Sequence, residues 1–264
     1  MSVTVVHFNP RVRRPGLLGR VTPGRPLNNF GDLIGPVLVE RIMSDAGLMQ
    51  PFQPRRLVAV GSIMKLTRPG DTVWGAGVNG KSMDVGAAPD LDVRAVRGPA
   101  TRALLEAAGM SVPEIYGDPA LLWPLYWPRS SYLDGSDGVK SEVSIVPNFH
   151  DRAHLTGDNV IDPIGRPHDI IGRIARSAFV CGSSLHGIVL AEAFGIPARL
   201  ILSQSEPAFK YDDYYAGTGR PDYSAASTVD EALAMGGERP PVFDADKLLA
   251  AFPRDLYRQK ANDA

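Results

Sequence analysis

Ala178-Phe179-Val180-Cys181-Gly182-Ser183-Ser184-Leu185-His186-Gly187-Ile188-Val189-Leu190-Ala191-Glu192-Ala193-Phe194-Gly195-Ile196-Pro197 is the stretch that decides the fold. Ala178 to Gly182 reads as the end of a buried strand, and His186 to Phe194 reads as a helix. Between them, two glycines, two serines and a histidine are delivered onto a helix start. Such a terminus has unpaired N–H groups and the positive end of the helix dipole, so it favours a phosphate or carboxylate. His186 adds a group that exchanges protons near neutral pH. The plain alternative is that Ser183 or Ser184 caps the helix and His186 is structural. The strand before the turn and the apolar helix after it weigh towards function.

Outward from this turn the same alternation continues. On its C-terminal side Ala198 to Leu202 reads as the next strand, with helices at Thr228 to Met235 and Ala245 to Tyr257. On its N-terminal side, Val143 to Pro147 and Val160-Ile161 read as strands and Pro167 to Arg176 as a helix. Further back, apolar runs at Val3 to Phe8, Leu57 to Val60, Thr72 to Gly77, Val93 to Val96 and Ile115 to Leu122 read as strands. Helices are expected over Leu33 to Ala46, with Asp32 in the N-cap region, and over Pro99 to Ala108. Arg11 to Pro26 is a basic, Gly/Pro-rich loop.

These elements predict an α/β fold of two Rossmann-like lobes. The expected division is an N-terminal lobe over residues 1–127, a Ser/Gly/Asp-rich linker over 128–140, a C-terminal lobe over 141–243, and a C-terminal helix over 244–264 that braces the first lobe. Paired open α/β lobes place their ligand in the cleft at the carboxyl ends of the strands.

Candidate residues therefore cluster in turns after strands. Asn29-Phe30-Gly31-Asp32 opens a helix and offers a polar pocket with close backbone approach, although a plain N-cap looks the same. Arg97-Gly98-Pro99 lies at a strand end, and Arg97 is expected to reach into the cleft, where a guanidinium holds phosphate or carboxylate. Gly117-Asp118-Pro119 projects Asp118, as an orienter of a base or as a turn residue. Asn148 and His150 begin the second lobe's first strand-to-loop turn. Trp74-Gly75-Ala76-Gly77 is glycine-rich after a strand, but no convincing helix follows, so a dinucleotide site is not expected. Phe209, Tyr211, Tyr214 and Tyr215, with Lys210, read either as a sugar-stacking wall or as packing.

In this order, Asn29-Phe30-Gly31-Asp32, Trp74-Gly75-Ala76-Gly77, Val96-Arg97-Gly98-Pro99, Tyr116-Gly117-Asp118-Pro119, Pro147-Asn148, Ser184-Leu185-His186-Gly187 and Lys210 to Tyr215 resemble the polysaccharide pyruvyltransferase family. The resemblance spans Asn28 to Tyr215. It implies a glycosyltransferase-B-like (GT-B-like) pair of lobes with the active site in the inter-lobe cleft. It also implies transfer of a pyruvyl group from phosphoenolpyruvate to two hydroxyls of a sugar, in a bacterial polysaccharide or its lipid-linked precursor, giving a pyruvate ketal. No metal or organic cofactor is implied. His186, Arg97 and Asp118 are the expected catalytic residues. Ser183, Ser184, Leu185, Gly187, Arg97 and Arg173 are expected to bind the donor, and Asn29, Gly31, Asp32, Gly75, Asn148, His150 and Lys210 to line the acceptor side. Some family members carry Arg-Leu-His where this chain has Ser184-Leu185-His186, and that arginine is associated with phosphoenolpyruvate binding. Arg97 and Arg173 are the expected replacements, Arg97 foremost. Two other functions share the two-lobed reading: a GT-B glycosyltransferase using a nucleotide sugar, and a non-catalytic glycan-binding relative.

Composition agrees with an enzyme that acts on a locally held anion. Lys plus Arg number 28 against 29 Asp plus Glu, so no general attraction to nucleic acid is expected. The single cysteine, Cys181, excludes an internal disulfide framework and fits the cytoplasm. Met1 to Pro10 lacks a charged segment followed by an apolar one, so neither export nor insertion is expected. The five histidines have no metal-site spacing. The basic segment Arg11 to Arg25 reads first as a flexible solvated loop; its alternative, if the acceptor is lipid-linked, is to draw the enzyme to the inner leaflet at about 1 kcal/mol per cation.

Overall fold

A computed structural model describes residues 2–13, 23–85, 90–133, 141–154 and 157–259. The described strands are β1 (Val3–Val6), β2 (Arg11–Val12), β3 (Arg25–Pro26), β4 (Leu48–Met49), β5 (Arg55–Val58), β6 (Thr72–Trp74), β7 (Asp92–Ala95), β8 (Ser141–Ile145), β9 (Ser177–Gly182), β10 (Ala198–Leu200) and β11 (Arg258–Gln259). The helices are α1 (Phe30–Asp45), α2 (Pro99–Ala107), α3 (Trp123–Tyr126), α4 (Pro167–Ala175), α5 (Leu185–Ala193), α6 (Phe209–Gly217), α7 (Val229–Met235) and α8 (Ala245–Ala250).

The fold is mixed α/β with two parallel sheets, in the orders β1-β5-β6-β7 and β10-β9-β8. Parallel strands need covered faces, and their β-branched apolar residues supply the material. Val58, Val73 and Val93 pack on one side of the first sheet with Leu105 of α2. The largest apolar cluster draws on elements around both sheets, including Phe30, Leu38, Trp74, Trp123, Val146, Ile171, Val189 and Tyr214. Helix α5 is buried nearly all round, as a helix inside a core must be.

Several expected elements are shorter or different. Helix α1 begins at Phe30, three residues before the expected Leu33, with Asn29 rather than Asp32 at the N-cap. Ile115 to Leu122 is not a strand. Tyr116 makes a single bridge to Val96, after which Asp118 caps a 3-10 turn over Pro119–Leu122. Pro119 has no N–H to give a ladder, so pairing stops there. Val160 likewise makes only one bridge, to Ile145. The expected helix over Ala245 to Tyr257 ends at Ala250. Pro253 cannot continue it, and the chain passes through a 3-10 turn (Arg254–Leu256) into β11, which pairs with β4. Trp74 Nε1 donates to Leu248 O at 2.8 Å, so this C-terminal segment packs onto the first sheet.

Within the expected linker, Arg129–Tyr132 forms a 3-10 turn, and Arg129 donates to the carbonyls of Ala175 and Ser177. Residues 134–140 lie outside the described residues, as do 14–22 of the expected basic loop, whose ends pair as β2 and β3. No helix among the described residues is long and apolar enough to cross a membrane.

Candidate active site at the His186 turn

Gly182 ends β9 at φ 140°, and a methyl group there would stand 2.2 Å from Val146 O. Only glycine permits that approach, which lets Ser184 N donate to Val146 O at 3.0 Å. Ser184 caps α5, its hydroxyl accepting from Gly187 N at 3.2 Å. Ser183 is tied on both sides: its Oγ accepts from Asn148 N at 3.1 Å, and its carbonyl accepts from Tyr211 OH at 2.7 Å. Asn148 in turn donates to Asp151 and Ser203 at 2.6 and 2.8 Å. The turn is thus rigid before any ligand arrives.

His186 stands on the first turn of α5. Its Nε2 lies 3.5 Å from Asp118 Oδ2, and both atoms are buried without a hydrogen-bond partner among the described residues. Asp118 divides its oxygens, since Oδ1 accepts from Ala120 N at 3.0 Å and Oδ2 faces the histidine. On the other side of the ring, a methyl on Gly31 would fall 2.5 Å from Nδ1, so the imidazole rests against the bare backbone at the start of α1. Buried polar atoms left unpaired are costly, so this facing of an imidazole nitrogen and a carboxylate oxygen needs an explanation beyond packing.

The ring opens into a cavity of about 330 Å³. Its wall contains Asn29, Gly31 and Asp32 from the start of α1, and Asn148 and His150 after β8. Ser184, Leu185 and His186 line it from the α5 turn, and Lys210 from α6. Burial raises the Asp32 carboxyl, against the opposing effects of His186 and of Asn29, whose amide donates at 2.8 Å. Burial lowers the Lys210 ammonium, opposed by its ion pair with Glu206 at 2.9 Å. Burial alone would raise Glu206, but Lys210 and Lys81 outweigh it and hold the carboxyl below its ordinary range.

Not every expected residue reaches this cavity. Arg97 does not aim into it: the side chain is fully buried, bonded to Asp213, to Ser62 Oγ at 2.6 Å and to Val78 O at 2.7 Å. Arg173 is exposed in the last turn of α4 and donates to Val160 O, away from the turn. Ser183 and Gly187 lie behind the wall, the first in the Asn148 network and the second packed on Val146. Gly75 is a packing position, where a methyl would strike Pro119 at 2.3 Å. Gly75, Gly77 and Gly80 do have G-x-G-x-x-G spacing, but the described residues that follow, 81–85, form a bend and irregular chain rather than a helix. Gly77 instead makes room for the Arg97 guanidinium. Tyr211, Tyr214 and Tyr215 are buried, so they are packing and not a sugar-stacking wall.

Sequence reasoning missed Ser62, Lys65, Asn79, Lys81 and Glu206, which also line the cavity. None stands in a glycine-rich turn opening a helix. The available signal was their shared position in the segments that follow strands, where ligands bind in open α/β sheets.

A mixed α/β scaffold thus holds His186, backed by Asp118, at the wall of a cavity that also carries Lys65, Lys81 and Lys210. The model of the polysaccharide pyruvyl transferase family matches residues 60–205, more than half of the chain, and the chain belongs to that family of transferases. It is 29% identical over 228 residues to the succinoglycan biosynthesis protein ExoV of Rhizobium meliloti (strain 1021), covering 79% of this chain and 68% of the relative. No solved structure matches it.

Proposed function

We propose that the chain transfers a pyruvyl group from phosphoenolpyruvate to two hydroxyls of a sugar, forming a cyclic ketal in exopolysaccharide biosynthesis. The supporting observation is His186, which lines a cavity that also carries lysines while its Nε2 faces the buried, unpaired Asp118 Oδ2 behind the wall. The acceptor is a polysaccharide or its lipid-linked precursor, and the location is the cytoplasm, at the inner face of the membrane for a lipid-linked acceptor. The two sheets are read as GT-B-like lobes, 1–127 and 141–243, joined by 128–140 and braced by 244–264, with the cavity as their cleft.

Phosphoenolpyruvate carries a carboxylate and a phosphate on an enol carbon, so the site must neutralise charge and supply a proton. His186, with Nε2 towards Asp118, is the acid–base group, and Asp118 orients and charge-balances it. Protonation of the methylene carbon makes an oxocarbenium-like centre. One sugar hydroxyl bonds to that carbon, the bond to phosphate oxygen breaks, and the second hydroxyl closes the ketal. The two hydroxyl protons balance the one gained by the new methyl group and the one carried off by phosphate. Phosphate is itself the leaving group, and no organic cofactor takes part in the proposed transfer.

The test is phosphate release from phosphoenolpyruvate with a panel of oligosaccharide and lipid-linked acceptors, together with mass analysis of the acceptor for an added pyruvyl ketal. His186→Ala is expected to stay folded and to lose about 10²- to 10⁴-fold in turnover. Turnover near wild type in that variant removes the assignment. Turnover that needs a nucleotide sugar and ignores phosphoenolpyruvate replaces the reading with glycosyl transfer.

A further inference from the structure

The cavity's positive charge is unevenly balanced. Lys210 is nine-tenths buried on the first turn of α6, and Glu206, one turn earlier, is buried beside it. Glu206 gives one oxygen to Lys210 and the other to Lys81, which comes from the loop after β6. One carboxylate therefore serves two ammonium groups, and Asp32 is the second carboxylate on the cavity wall, so Lys81 and Lys210 alone are matched in charge. Lys65 adds a further cation on the same wall, with no ion-pair partner among the described residues.

The two lysines arrive from opposite sides, and their meeting is fixed by packing. Gly80 has φ 90°, and a methyl there would stand 2.6 Å from Phe209 Cβ and 3.1 Å from Pro207 Cγ. The turn Asn79-Gly80-Lys81 is thus seated on the segment that leads into α6, and Asn79 Oδ1 accepts from Lys81 N at 3.2 Å. Each ammonium has three donors, and Glu206 uses one from each. Neither Arg97 nor Arg173 reaches the cavity, and the Ser184 hydroxyl is engaged as a cap.

We propose that Lys81 and Lys210, drawn together by Glu206, form the subsite that holds the phosphate group of a small phosphorylated acid. The inference rests on the reading of the cavity as the donor site and deepens it. Glu206 has two roles: it keeps two cations adjacent while the cavity is empty, and it lets a dianion complete their coordination. Lys81, nearly half exposed, is the arm that adjusts, and Lys210 is the fixed point.

The test is calorimetric titration of the full chain with phosphoenolpyruvate and, separately, with inorganic phosphate. It compares wild type, Lys81→Ala, Lys81→Arg and Lys210→Met, with a thermal melt of each to verify folding. Lys81→Ala is the decisive variant, because its half-exposed side chain is expendable to the fold. Wild type is expected to bind phosphoenolpyruvate, with phosphate as a competitor. Lys81→Ala should weaken binding by about tenfold or more, as loss of a charge-assisted contact does, and Lys81→Arg should restore most of it. Phosphoenolpyruvate binding that is unchanged in Lys81→Ala overturns the subsite and leaves the pyruvyl-transfer reading standing. Lysine-dependent binding of inorganic phosphate without binding of phosphoenolpyruvate keeps the subsite and removes that reading. Binding of neither by the wild type overturns the subsite and strips the reading of its donor.

Discussion

Burial in the first turn of α1 raises the carboxyl of Asp32 above its ordinary value of 3.8, and the charge of His186 and the bond from Asn29 offset this only in part. A raised carboxyl binds its proton more tightly in the folded chain. Its contribution to stability is therefore fully present below pH 3.8 and is lost as pH rises through the folded value. Asp32→Asn should consequently raise the melting temperature at neutral pH, with the gain vanishing in acid. Thermal melts across that range measure it, and no gain at neutral pH would count against burial as the dominant cause. Glu206 has the opposite sign. Its carboxyl is held low by two lysines, so its contribution is present above its ordinary 4.5 and fades as pH falls through the folded value. At this scale the sequence was legible where chemistry is local. His186, Ser184, Asn29 and Asp32 all sit at helix starts, and all line the cavity. Arg97 was misread because its carboxylate, Asp213, lies 116 positions further along, and no local pattern announces that pairing.

The elements that build the site owe their precision to close backbone approach. Helix α1 enters against the imidazole with Gly31, so Gly31→Ala tests positioning apart from folding. Alanine suits a helix better than glycine by about 0.5–1 kcal/mol, so α1 should persist. Its methyl would nevertheless lie 2.5 Å from His186 Nδ1 and must push the ring off Asp118. Displacement of a reacting group by about 1 Å costs on the order of 10²-fold in rate. The expected result is an unchanged circular-dichroism spectrum with turnover reduced by about that factor. Wild-type turnover would mean that the ring has room to work elsewhere. Strand and helix positions were readable from apolar runs and helix starts, which is why β9 and α5 fall close to their expected bounds. The readings over Ile115 to Leu122 and Ala245 to Tyr257 failed for one reason. Pro119 and Pro253 interrupt runs whose hydrophobic content alone suggests continuity, and the proline's missing N–H decides the outcome.

Across the whole molecule the cavity depends on holding the β7–α2 junction against α6. Arg97 and Asp213 do this as an ion pair at 3.0 Å with both side chains fully buried. Asp213 also accepts from Thr101 N and Oγ1 at 2.9 and 2.7 Å, and Gly98 lies so close that a methyl would stand 1.8 Å from Asp213 O. Replacing a buried pair with apolar groups is often tolerated, whereas removing one partner strands the other charge without water. Arg97→Ala should therefore destabilise the fold by about 3–5 kcal/mol in chemical denaturation. Arg97→Met combined with Asp213→Leu should cost less than the sum of the single changes, because the stranded charges disappear together. The clamp has a consequence for the site as well. Lys210 and Tyr211 stand on the same helix as Asp213, so loosening that helix shifts a cavity cation and the hydroxyl that holds the Ser183 carbonyl. Weaker phosphoenolpyruvate binding in Arg97→Ala should thus accompany lost stability and recover in the double variant. A direct contact between Arg97 and the donor would behave differently, since the double variant lacks the guanidinium and would stay weak.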